Sequence, residues 1–383
     1  MQTEEGSLSR SPQPAHSYRH ITLNNRMNTL IPTAVMLAAA SGQLCAQLHT
    51  VVPQQFATTD AIHTAAIPGV VDQRTQVLVG ASHLTSMVGQ NIEAIELRRS
   101  AATETFTGGA IHLTMKLSIA PHEPLACSNL FSNNIGPNPS TVFNGQITIP
   151  TSQANAGPTV TWITNNVVRI PVSPPFNYSG GTLCIDIVGQ PTSSQGSPWW
   201  PADATFEHLP GTFVDIGGGC GGIGGTQGNW STIESPSLVV GGHAKMIAHG
   251  TPYGLAIAAI GPQSLPIPLS SLGLTPPTAC SLLVFPVDIL IPMLFVPDAD
   301  PAYSQNGGRA DLDIKIPNIP GAQGLTLTTQ WFDWTQQATS NALTWTIAAS
   351  VPTLDMASIE GHPQSATGSA SVHIAPVLRF EHN

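Results

Sequence analysis

From Ile111 to Ile119 the chain alternates without a break. Ile111, Leu113, Met115, Leu117 and Ile119 fall on one side, and His112, Thr114, Lys116 and Ser118 on the other. A side-chain period of two belongs to an extended strand. Strict alternation means one buried and one wet face, as in an antiparallel sheet. Shorter Val/Ile/Thr runs recur along the 383 residues, divided by clusters drawn from 35 Gly and 34 Pro, and only 9% of residues are charged. That pattern predicts an all-β chain, long enough for two antiparallel β-sandwich domains.

Further strands are predicted at Val77–Val79, Ile92–Arg98, Gln146–Ile149, Val160–Ile163, Val167–Val172 and Thr182–Val188. Together they predict a jelly-roll-like sandwich over residues 47–212. A second set, at Leu238–His249, Leu255–Ile260, Ser281–Phe285, Asp311–Ile316, Leu325–Trp334 and Ala342–Ala348, predicts a C-terminal sandwich over 226–349. Between them Gly217–Gly225 reads GGGCGGIGG, and 213–225 is predicted to be a Gly-rich linker. Gly219, Gly221 and Gly224 match G-x-G-x-x-G, but no amphipathic helix follows at Thr226–Pro236 and no Lys-Ser or Lys-Thr pair is present. Without those, neither a dinucleotide fold nor a P-loop is supported. Residues 350–383 carry one strand candidate, Val372–Leu378, and are expected to pair onto a sheet edge or stay mobile.

Leu30–Ala40 is an apolar run of signal-peptide length preceded by Arg19 and Arg26, with small residues that allow cleavage after Ala40 or, preferred, Ala46. Met27 also reads as a natural start, which makes 1–46 a signal peptide with an upstream extension. No small residue stands just before Cys45, which disfavours a lipid anchor. Ile289–Val296 is too short for a membrane helix and is broken by Pro292. The expected mature protein is secreted. Its net charge of −10, or −11 once three Arg and two Glu leave with residues 1–46, repels nucleic acid and anionic membranes. Outside the leader, Cys127, Cys184, Cys220 and Cys280 allow three pairings. One pair per half, Cys127–Cys184 and Cys220–Cys280, is the simplest, with buried free thiols as the other reading.

Gly217–Gly222, Leu272-Gly273 with Cys280–Val284, Ile314–Pro320, Thr329–Trp331 and Ser340–Leu343 resemble a domain found at the C-terminus of many secreted bacterial proteins. Ser179–Leu183 and Trp199–Asp203 are similar to the partner region of the same two-domain β proteins. The resemblance covers most of residues 77–349 and implies export and a β-rich architecture, but no activity. It departs at Pro277–Ala279 and has no counterpart for 350–383.

Local signatures of catalysis are sparse. No G-x-S-x-G or H-E-x-x-H occurs, and His122-Glu123 is a lone pair in a proline-bounded loop. Asp186, Glu207, Asp215 and Glu234 are carboxylates that nothing in the sequence brings together, whereas glycoside hydrolysis needs a facing pair. His243 and His249 share a strand face beside Lys245, but roughly 20 Å apart at about 3.3 Å per residue they cannot share a metal. They read as surface histidines. Asp298, Asp300, Asp311 and Asp313 flank a polar loop that could bring carboxylates to Ca²⁺, although solvated strand-edge acids are the plainer reading. Trp199 and Trp200, between prolines, would make a sugar-stacking platform if exposed and would plug the sandwich if buried. No cofactor or metal is expected. The leading expectation is a secreted, non-catalytic structural or adhesive protein. A glycan-binding pair of modules using Trp199 and Trp200, or a hydrolase with an unrecognised site, are the alternatives, and the partners expected are a glycan or an extracellular protein.

Overall fold

Antiparallel strands make up just over half of the chain, as the alternation predicts. A computed structural model describes residues 47–383 apart from 62, 156, 158, 193–199, 208–210, 221–230, 234–236, 277–278 and 298–306. The predicted leader, Trp199, Glu234, Asp298, Asp300 and the second half of the glycine cluster therefore lie outside the described residues.

The strand Gly109–Ile119 buries Ile111, Leu113, Met115 and Leu117 completely. It belongs to a six-stranded sheet in the order Ser369–Ser371, Met356–Gly361, Gln73–Val79, Leu183–Pro191, Gly109–Ile119, Ser140–Ile149. A four-stranded sheet runs Leu48–Val52, Leu378–His382, Asn91–Arg98, Val167–Asn177. Ile95, Leu97, Ile170 and Phe380 of the second sheet share one hydrophobic core with Val77, Met115, Ile185 and Met356 of the first. No strand forms at Val160–Ile163. That stretch passes over the buried Arg98, whose Nη1 donates to Val160 O at 3.0 Å and whose guanidinium lies 4.9 Å from the Trp162 ring.

Residues 350–383 are not a tail appended to this core. Leu378–His382 runs between Leu48–Val52 and Asn91–Arg98, inside the sheet. Its inward side chains, Leu378, Phe380 and His382, are buried, while Arg379 bonds Glu96 and Arg169 grips Glu381 with two 2.9 Å hydrogen bonds. The chain thus leaves the first core at residue 207, builds a second one, and returns to finish the first. Departure and return are adjacent, since Thr212 pairs with Thr346. Glu207 fastens them, accepting hydrogen bonds from the backbone N–H groups of Thr353 (2.8 Å) and Leu354 (3.0 Å) and from the Thr353 hydroxyl (2.7 Å). Because water can replace part of this, Glu207→Ala is expected to lower stability by only about 1 kcal/mol, read as a shift in urea midpoint at unchanged slope.

The second core lies between a five-stranded sheet (Thr212–Gly217, Ala338–Thr346, Thr326–Asp333, Leu255–Gly261, Ile289–Leu294) and a four-stranded one (Ser231–Ile233, His243–Gly250, Gly308–Lys315, Val296–Pro297). Ala244, Ala248, Ala256 and Ala258 let the sheets approach, and Trp331 and Trp345 fill the space between. The described part of the predicted linker, residues 213–220, is bound into this body. Thr212–Gly217 is an edge strand, and beyond it Cys220 N–H donates to Thr339 O at 2.9 Å. Gly218 has φ +81°, and a Cβ on Gly219 would sit 2.6 Å from Asn341 N. These glycines serve a close backbone approach, and the Cys220–Cys280 disulfide locks it, with Cα atoms 5.3 Å apart.

The two cores meet through the outer face of the six-stranded sheet. Leu78, Cys184, Ala357 and Ile359 there cluster with Phe131, Cys127 and Val239. The Nζ of Lys315 crosses the seam to donate to Leu125 O (3.2 Å) and Gly241 O. The predicted Cys127–Cys184 bridge is not formed; both are buried free thiols. Each is committed elsewhere, Cys127 with its Sγ 3.9 Å from Lys315 Nζ and Cys184 at the start of an interior strand of the sheet, where burial pushes its thiol up to about 12.

Candidate functional site: a polar cleft at the seam

The inner face of the six-stranded sheet changes character at one end. Val77, Val79 and Met356 line the core, but the same face continues as Thr75 and Gln73 on one strand and as Ser358 and Glu360 on its neighbour. Cross-strand register then sets Ser371 opposite Ser358 and Ser369 opposite Glu360. One residue of offset would have turned this set outward and Ala357, Ile359 and Ala370 inward, so the alternation of the strand fixes the site. Lys245, from the second core, closes the far wall. The strand His63–Ala65 supplies the rim, and the result is a cleft of about 240 Å³. It continues inward as an apolar crevice of about 20 Å³, room for about one water.

Glu360 is the chemical centre. Burial raises its carboxyl above the ordinary range, against the pull of Lys245 and a hydrogen bond from Ser358. Gln73 Nε2 donates to its Oε2 at 3.3 Å, and Lys245 Nζ donates to Ser371 Oγ at 3.3 Å. Behind the cleft two buried acceptors have no protein partner, Gln73 Oε1 and Thr75 Oγ1, in residues 8% and 4% exposed, and Thr75 lines the inner crevice. A native interior satisfies nearly all such atoms, and the crevice has room for about one water beside Thr75.

The residues singled out in the sequence are placed elsewhere. Trp200 is 1% exposed in the first core and offers no stacking face. Asp186 is held by Arg74 through two hydrogen bonds (2.9 and 2.8 Å), Glu207 fastens the joint, and Asp215 accepts from Gly217 N–H and Asn341 Nδ2. None of these carboxylates faces another. His122 hydrogen-bonds the backbone carbonyls of Glu123 and Asn133. His243 is not a surface residue: it is 1% exposed and its Nδ1 lies 2.6 Å from Asp313, a neighbour supplied by the adjacent strand. His249 is partly buried, and Asp311 pairs with Arg309. Among the described residues no group of three or more His, Cys, Asp or Glu could hold a metal.

Sequence reasoning passed over Glu360, Ser358, Ser369 and Ser371. The signal was the alternation of Ser358-Ile359-Glu360, too short to stand out in a segment expected to be peripheral. No protein-family model matches the chain, and no curated protein or solved structure matches it either. No helix among the described residues is long and apolar enough to cross a membrane.

Proposed function

We propose that this is an exported protein that acts outside the cell by contact, structural or adhesive, with the seam cleft as its ligand site. The observation that carries the reading is the cleft's composition. A single carboxylate, one lysine and a set of hydroxyls line it. That arrangement suits binding. Glycoside hydrolysis works with two facing carboxylates. A serine nucleophile needs a base that accepts its proton, whereas Lys245 donates to Ser371. Export is supported by the leader-like Leu30–Ala40 run and by the Cys220–Cys280 disulfide, which suits an oxidising compartment. Leu290 and Leu294, each 62% exposed on an edge strand, add apolar area of the kind found on contact surfaces.

The test pairs chemistry with binding. The full chain is incubated with a fluorophosphonate probe and with glycosidase and esterase substrates, then assayed for adhesion to glycan- and protein-coated surfaces. Saturable adhesion without labelling or turnover is expected. Labelling of Ser371, or turnover abolished by Glu360→Gln, would overturn the reading.

A further inference from the structure

We propose that the cleft takes a neutral, polyhydroxylated ring, a single sugar residue, held between Lys245 and Glu360. This rests on the reading of the cleft as a ligand site and names the class of ligand. The two charges on its walls are opposite and close enough for Lys245 to influence Glu360. An anionic ligand drawn to Lys245 would also meet Glu360, and a cation drawn to Glu360 would meet Lys245, so net charge gains little. A vicinal diol meets both. One hydroxyl accepts from the ammonium while the next donates to the carboxylate, and each such charge-assisted bond is stronger than its neutral counterpart.

The remaining walls repeat that logic. Ser358, Ser369 and Ser371 each donate or accept as needed, which suits hydroxyl partners of either sense. Behind them Thr75 Oγ1, on the inner crevice, lacks a protein partner, and the crevice has room for about one water between it and the cleft. Ala65, Ala66 and Ile374 give an apolar patch for ring C–H groups, and the His63 ring stands at the rim. At about 240 Å³ the cleft is smaller than drug-sized pockets, which fits one ring and not an oligosaccharide. So few atoms give a dissociation constant of about 1 mM.

The experiment is saturation-transfer NMR and calorimetry on the full chain with glucose, galactose, mannose and N-acetylglucosamine. Citrate, glutamate and spermidine serve as charged comparators. At least one neutral sugar is expected to bind, with affinity falling about tenfold or more in Lys245→Met and in Glu360→Gln. Ser369→Ala and Ser371→Ala, milder changes, are expected to weaken the same sugar and guard against loss of fold in the first pair. A charged comparator that binds and is lost in those variants, with no sugar binding, overturns the sugar assignment and leaves the cleft as a ligand site. No ligand of any class responding to the four variants overturns both.

Discussion

Replacing Arg98 with Met is expected to destabilise the protein by about 3–5 kcal/mol at pH 7, the range for stripping one partner from a buried ion pair. Arg98 and Asp203 are both fully buried and bonded to each other. The guanidinium also donates to Val160 O (3.0 Å), Phe56 O (3.1 Å) and Thr59 O (2.7 Å), and so organises the segments on either side of it. Burial lifts the Asp203 carboxyl to about 6, while Arg98 and the Ala61 N–H (2.9 Å) oppose that shift. The sign follows from linkage. A carboxyl that binds its proton more tightly when folded contributes fully below its unfolded pKa of about 3.9, and that contribution is lost as pH rises through about 6. Removing the cation that opposes the shift pushes this window upward and deepens it. The Met variant should therefore regain stability as the pH falls towards 4, and adding Asp203→Asn should restore much of the loss at pH 7. Urea midpoints across pH 4–8 measure both. Equal destabilisation of the Met variant at pH 4 and pH 7 would show that lost packing, and not an unpaired charge, dominates.

Cys220→Ser/Cys280→Ser is expected to cost about 4 kcal/mol, because the bond closes a loop of 60 residues. The cysteines pack with Leu269 and Ala338, so the serines also leave a polar mismatch in a buried cluster. Reduced wild-type protein should lose nearly as much in a urea titration, falling short of the double variant by the cost of the buried hydroxyls. Reductant should leave the double variant unchanged, because Cys127 and Cys184 are already thiols. Those two thiols are buried, and burial raises both, so alkylating reagents should reach them only on unfolding. A midpoint in the oxidised wild type that equals the reduced one would mean the bond does not hold this part of the fold.

Legibility in the sequence followed the length of the pattern. Nine alternating residues at Ile111–Ile119 announced a strand whose inward side the structure reproduces from Ile111 to Leu117; at its end Ile119 is only half-buried and Ser118, expected wet, is buried. Leu378-Arg379-Phe380-Glu381 alternates too, but over only four residues, with nothing local to say that the strand enters the middle of a sheet. The glycine cluster was ambiguous for another reason. Glycine marks a flexible joint and a tight approach equally well, and only the neighbours of Gly218 and Gly219 decide between them. Cys220–Cys280 was readable as a pair, whereas Cys127 and Cys184 share a cluster without meeting, a matter of side-chain direction that spacing cannot convey. The cleft was hidden most completely. It needs Lys245 from one core and Glu360 from the other, and their approach depends on a joint whose fastening residue, Glu207, looked like a stray carboxylate.

The central place of Leu378–His382 also sets an order of events during synthesis. Its partners, Leu48–Val52 and Asn91–Arg98, emerge early and must wait, each with an unsatisfied edge, until residues 378–382 are made. The inserted strands, complete by residue 346, can close up beforehand. With its first sheet open until that strand arrives, the first half of the polypeptide stays uncompacted while everything between residues 98 and 378 is being made.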